Sequence, residues 1–466
     1  MRAGTDRGAG PRVTVDGMSS QVRSWLAAAV AAVLLAGLAV LVWAPVPATT
    51  PDPMDGPLAG GTTSTASTTS GTAQPRVGLS RSRAVREMLE RRAAAVRNRD
   101  EATFMGTVDP LADPEFVAAQ RALFVNLDGV PLTEWSYDVD GAIASRPPTV
   151  LDDDATRWAP RTTLRYGLRG ADTVPTERPL GYLYVQREGR WYVHSDAELG
   201  PDAERTWRGP WDFGPCAVVA ATGGLVLGHS GQEELLAALA AELDGAVRAV
   251  TEVWGTEWSQ QVAVLLPGTI DEMRELVGPA FAVDGIAAAA VADKVDVASH
   301  TAIGQRVVLN PTQAGRLSAT ARRIVLRHEI THVAARASTV DGAPMWLLEG
   351  FADYVGYQGS GLAPREAAPD LVRALRSGDL PTQLPTDGDF RGGSANLDLA
   401  YQLAWSAALH IVDRVGEDGL VRLYRLIAGN AEPDAAAVDA ALGEVFGTDL
   451  NGFVVGWRDS LKLRFS

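Results

Sequence analysis

Residues His328 to His332 read HEITH in a chain that has only 6 histidines. On a helix, positions i and i+4 lie about 5–6 Å apart at Cβ, so His328 and His332 converge on one face. Two imidazoles at that spacing can bind one zinc ion. Glu329 is turned by about 100° from His328, which makes it a poor third ligand from the same turn, but its carboxylate can reach a water on the metal. That is a general base's position, and Glu329 is the expected catalytic carboxylate.

A catalytic zinc needs a third protein ligand and an open position. The helix ATARRIVLRHEITHVAARA stops at STVDG, and APMWLLEGFADYVGY starts another, with Pro344 suited to its first turn. The stretch from His332 to Glu349 is long enough for a turn and an antiparallel return. Glu349 and Asp353 are again i and i+4, so either carboxylate could reach the metal. We read Glu349 as the ligand and Asp353 as the acceptor of a hydrogen bond that fixes the tautomer of one histidine. Gly350 costs about 1 kcal/mol relative to Ala inside a helix, and close approach of the two helices would justify it. Without a metal, two histidines and three carboxylates buried together would be costly.

His328, Glu329 and His332 on one helix, with Glu349 and Asp353 in WLLEGFADY on the next, resemble the gluzincin metallopeptidases. The resemblance is to that family in the broad sense of thermolysin-like and peptidase-MA-like proteins, and it covers roughly residues 220–425. It implies a zincin-type domain with a mixed sheet, and Zn2+ held by His328, His332 and Glu349. It also implies a peptide or protein substrate cleaved by an activated water with Glu329 as base. Such peptidases often bring a Tyr or His from a downstream helix to the developing oxyanion, and NLDLAYQLAWSAALHIVDRVG offers Tyr401 and His410. Nine residues apart, these two point in nearly opposite directions, so only one can face the site. Tyr401 is similar in place to the Tyr on the family's helix and is the expected second catalytic residue, with core packing as its alternative role. The strand QRVVLNP is expected to offer an edge to an extended peptide.

At 466 residues the chain is long enough for two or three units. Its 57 acidic against 42 basic residues give a net charge of −15. That balance argues against a nucleic-acid partner, whose phosphates need clustered cations. Basic residues are almost all Arg, with Lys only at Lys294 and Lys462, the codon bias of a GC-rich, bacterial genome. The single Cys216 excludes an intramolecular disulfide, and its apolar setting reads as core filling. His229-Ser230 is no nucleophile pair, because a histidine cannot serve as base to its own neighbour and no G-x-S-x-G elbow surrounds it. His194 reads as structural, and His300 has no assigned role.

Trp25 to Trp43 carry no charge and, at 1.5 Å per residue, reach roughly 30 Å as a helix. Arg2, Arg7, Arg12 and Arg23 precede this segment and no Arg or Lys follows before Arg76. The positive-inside rule then leaves residues 1–23 in the cytoplasm, residues 24–44 in the lipid bilayer as one transmembrane helix, and the rest extracellular. A cleaved signal peptide ending near Ala48 is the rival reading. Residues 45–80, rich in Pro, Thr, Ser and Gly, form a disordered linker. Over 81–208, helices followed by period-two runs and a Glu188-Gly189 turn predict an α+β unit. This order is similar to the ketosteroid-isomerase-like cone fold. Residues 209–466 form the metallopeptidase-like unit, and the chain as a whole is α+β. The expectation is an anchored, extracytoplasmic zinc metallopeptidase at the cell membrane. The alternative is an anchored binding protein whose peptidase fold keeps zinc but has lost turnover.

Overall fold

The computed structural model describes residues 74–145, 155–197, 199, 204–278, 283, 285–391, 394 and 396–465. The expected span at 24–44 lies outside these residues, as does the linker up to residue 73; residues 74–80, expected as linker, instead form the first turns of a helix. Among the described residues no helix is long and apolar enough to cross a membrane. The fold is mixed α+β, with several sheets and many helices.

Three helices open the described chain: α1 (Gln74–Asn98), α2 (Glu101–Met105) and α3 (Pro114–Asn126). Val85, Met88, Leu89, Ala93 and Val96 recur at helical spacing along α1, and all are buried. Asp100 and Asp113 start the next two helices by accepting from the backbone N–H groups of Thr103 and Glu115. An antiparallel sheet follows, made of β1 (Leu132–Ser145), β2 (Thr156–Leu168), β3 (Thr176–Leu180), β4 (Leu183–Arg187) and β5 (Arg190–Ser195). The β4–β5 turn places Glu188 and Gly189 at φ 47° and 78°, the left-handed pair that a two-residue hairpin requires.

The second sheet is built from β6 (Cys216–Ala221), β7 (Gly224–His229), β8 (Val262–Leu265), β9 (Ala288–Val291) and β12 (Arg306–Leu309). Helix α4 (Glu233–Trp254) and helix α5 (Ile270–Val277) connect its strands, and the small hairpin β10 (Lys294–Asp296) with β11 (Thr301–Ile303) lies between β9 and β12. The order is β6-β7-β8-β12-β9, with β7, β8 and β12 parallel and both outer strands antiparallel. The strand QRVVLNP therefore does not form the edge. It is β12, buried on all four residues between β8 and β9, and the edge on that side is β9. The excursion through β10 and β11 reverses the chain, so β12 returns antiparallel alongside β9, which covers it.

Alternation along these strands divides two cores. Val226, Val262, Val264, Val307 and Leu309 face α4 and the helices that follow. Leu225, Leu227, Ala263, Leu265 and Val308 face the first unit and pack with Trp135, Tyr166 and Trp211. A buried ion pair spans the same junction, where Arg306 donates to both oxygens of Asp172 at 2.7 and 2.8 Å.

The helical layer carries the metal motif. Helix α6 (Ala319–Ala335) begins at Ser318, whose hydroxyl accepts from the N–H of Ala321. Helix α7 (Met345–Tyr357) follows, with Pro344 at its N-cap and every residue buried. Helix α8 (Leu397–Ala428) lies against α7 and bends at Gly416, which has φ 76°. Two glycines seat α7 between its neighbours. A Cβ on Gly350 would fall 2.4 Å from the carbonyl oxygen of Ala404 on α8, and one on Gly356 would fall 3.2 Å from that of Ile324 on α6. The close approach expected at Gly350 is therefore to α8 and not to the HEITH helix. Gly350→Ala should cost about 1–3 kcal/mol through overpacking, seen as a lower thermal midpoint. An unchanged midpoint would contradict this helix contact.

Candidate metal centre

His328 and His332 project from one face of α6, and α7 brings Glu349 and Asp353 against them. Nε2 of His328 lies 3.0 Å from Nε2 of His332 and 3.2 Å from Oε2 of Glu349. Nε2 of His332 lies 3.5 Å from the same carboxylate oxygen. Nδ1 of His328 lies 2.8 Å from Oδ1 of Asp353. Glu349 thus sits on the inner side of the imidazoles and Asp353 on the outer side of His328. Among the described residues, His328, His332 and Glu349 are the one group of His, Cys, Asp or Glu whose ligand atoms lie close enough together to share an ion.

The donor set fits zinc. With His328 donating from Nδ1 to Asp353, its Nε2 lone pair turns towards His332 and Glu349. Oε1 of Glu349 is buried with no protein partner. Ligand atoms about 2.0–2.2 Å from a tetrahedral zinc are roughly 3.3–3.5 Å from one another, and the three edges here are 3.0, 3.2 and 3.5 Å. Two imidazoles and a carboxylate suit zinc's preference for nitrogen and oxygen.

The electrostatics follow from burial and proximity. Burial disfavours the His328 imidazolium, yet the hydrogen bonds it donates to Asp353 and Glu349 outweigh it and raise its pKa to about 10, so a metal ion would displace the Nε2 proton. Burial likewise opposes the Glu349 carboxylate, but His332 and His328 hold it down at about 2. Glu329 is pushed up by burial, against the nearby histidines and the backbone N–H of Ala290 on β9. Its Oε1 is buried without a partner. Asp353 is also pushed up, chiefly by burial.

The choice between Tyr401 and His410 falls to packing. Tyr401, fully buried on α8, stacks edge-on with Phe390 at 5.2 Å, and its phenol is raised well above 10 by burial and by Glu349, Asp353 and Glu329. It lies within electrostatic reach of the site carboxylates. His410 packs instead on Phe446 and Phe453, at 5.8 and 5.4 Å, with its pKa lowered by burial.

The remaining histidines and the cysteine stand apart. His194 pairs with Asp109 at 2.7 Å, and His229 holds both oxygens of Glu272 at 2.9 Å. His300 is exposed in a turn at φ 51°. The Cys216 thiol, partly buried, is pushed up to about 12 by burial. One contributor escaped the sequence reading: the N–H of Ala290, which only the strand order carries to Glu329. The run Ala288 to Ala290 was the available signal, since small side chains let α6 lie close on β9.

No protein-family model matches the chain, and no curated relative does. Solved structures do match, and they are M1 zinc metallopeptidases. The M1 zinc metallopeptidase from Deinococcus radiodurans is 15% identical, with a TM-score of 0.33 over 65% of this chain and 60% of that one. This chain thus spans less than two thirds of that enzyme's length. A point mutant of an M1 zinc metallopeptidase from Deinococcus radiodurans bound to a Tyr-Ser-Ala substrate is 12% identical, with a TM-score of 0.31 over 65% and 89% of the two chains. A further M1 mutant from Deinococcus radiodurans is 12% identical, with a TM-score of 0.33 over 71% and 93%. At such TM-scores the likeness decides neither fold nor activity here. On this chain's own residues, the site is a helix carrying HEITH packed on a second helix that supplies Glu349 and Asp353.

Proposed function

We propose that the protein is a membrane-anchored, extracytoplasmic zinc metallopeptidase. Residues 1–23 are its cytoplasmic tail, 24–44 its transmembrane helix, 45–73 a tether, 74–208 a ketosteroid-isomerase-like unit and 209–466 the peptidase-like unit. The observation that carries the reading is the triangle of His328, His332 and Glu349, whose edges lie within a few tenths of an ångström of those of a tetrahedral zinc site. When bound, zinc would supply a Lewis acid that activates water and polarises a carbonyl.

Glu329, raised by burial and with an oxygen unshared, takes a proton from the attacking water and delivers it to the leaving amine. Asp353 holds the Nδ1 proton of His328, so its Nε2 stays available as a ligand. Tyr401, whose raised pKa keeps the phenol protonated, donates to the developing oxyanion. The edge strand β9 offers its outer side to an extended peptide, apart from the Ala290 N–H that faces Glu329.

One observation favours the alternative of a zinc-containing binding protein without turnover. Glu329 is 1% exposed and His332 5%, so the site is closed to substrate in this conformation. Metal analysis of the full chain with an unbiased peptide-library cleavage assay separates the two. Zinc with cleavage supports the peptidase, zinc without cleavage the binding protein, and neither refutes both.

The anchor makes a separate prediction from the arginine asymmetry. Protease added to intact cells should remove the region after Pro45 and spare the N-terminal tail. A protected C-terminal unit would reverse the orientation, and a mature chain starting near Thr49 would replace the anchor with a cleaved signal.

A further inference from the structure

Asp353 spends one oxygen on His328, and its Oδ2 is buried with no partner. One helical turn further along α7, the hydroxyl of Tyr357 is also buried with no partner. The ring of Tyr357 is held against Trp405 of α8, with centroids 4.8 Å apart, and the residue is 7% exposed. The other tyrosines near this helix are engaged: Tyr354 donates to Glu417 at 2.5 Å, and Tyr424 shares a hydrogen bond with Thr339 at 3.0 Å. A lone buried donor and a lone buried acceptor each carry an uncompensated desolvation cost. Residues i and i+4 face the same side of a helix, so one contact between them relieves both.

We infer that Tyr357 is a positioning residue for the metal centre, donating its phenolic hydrogen to Oδ2 of Asp353 directly or through one water. The electrostatic influence of Asp353 on this phenol agrees with that proximity. The relay then runs from Tyr357 through Asp353 to His328. With both oxygens occupied, Asp353 is fixed in orientation. His328 keeps its proton on Nδ1 and its lone pair towards Glu349 and His332. Tyr357 touches neither the metal nor the substrate, so its effect should appear in metal affinity.

The inference rests on the zinc reading, and the test keeps the two apart. Zinc affinity of the full chain is measured by chelator competition for the wild type, Tyr357→Phe, Asp353→Ala and the double variant. Phe keeps the ring on Trp405, and thermal unfolding checks that each variant is folded. Tyr357→Phe should weaken zinc about three- to tenfold, below the 10–100-fold of a direct outer partner. In the Asp353→Ala background the same change should have no further effect, because the relay is already broken. An equal loss in both backgrounds would mean that Tyr357 acts by packing, which overturns the inference. Wild-type affinity in Tyr357→Phe overturns it while leaving the zinc site intact. A wild type that binds no zinc removes both.

Discussion

Glu329→Gln should retain about one zinc per chain and lose peptide hydrolysis by two or more orders of magnitude, the scale of a general base. The amide matches the carboxylate in shape but cannot take a proton at neutral pH. Glu329 belongs to neither the ligand triangle nor the Asp353 contact, so the metal should stay. His328→Ala is the contrasting variant. It deletes an imidazole that faces His332, Glu349 and Asp353 together, and zinc should be lost with activity. Zinc content by elemental analysis and turnover on a cleaved library peptide measure both. A Glu329→Gln protein that cleaves as well as wild type would remove this glutamate from the mechanism.

The second large effect concerns α7. Glu349→Ala should strip most of the metal under mild chelation, since two histidines and water remain. Asp353→Ala should weaken zinc by about 10–100-fold without abolishing it, because Asp353 meets His328 at Nδ1, the ring nitrogen turned away from the other two donors. Sequence spacing left the two carboxylates interchangeable. The geometry separates them: Glu349 approaches Nε2 of both histidines at 3.2 and 3.5 Å, and Asp353 approaches only the far side of one ring. Zinc titrations of both folded variants check the order. A more damaging Asp353→Ala would exchange the two roles, and wild-type affinity in both would detach this helix from the site.

Local chemistry made much of this legible. The i, i+4 spacings of His328 with His332 and of Glu349 with Asp353 follow from helical geometry alone, as does the buried stripe of α1. The left-handed Glu188-Gly189 turn follows from hairpin twist. Strand order was not legible in the same way. Whether QRVVLNP lies at an edge depends on where the distant AAAV strand returns, and no pattern within seven residues encodes that. The partner of Gly350 was misjudged for a related reason. A glycine signals that a backbone approaches but does not say which one.

The sequence by itself determined which residue types could hold a metal and move a proton, because side-chain chemistry and the 3.6-residue period are local. It also determined that one of Tyr401 and His410 must turn from the site, since nine residues on a helix reverse direction. Only the tertiary structure decided that Tyr401 lies within electrostatic reach of the carboxylates while His410 packs on Phe446 and Phe453. It also decided that Glu349 lies inside and Asp353 outside, and that β9 carries Ala290 to Glu329. These outcomes depend on how α6, α7, α8 and the sheet pack together. Packing sums many weak contacts between residues far apart in the chain, and no local spacing specifies that sum.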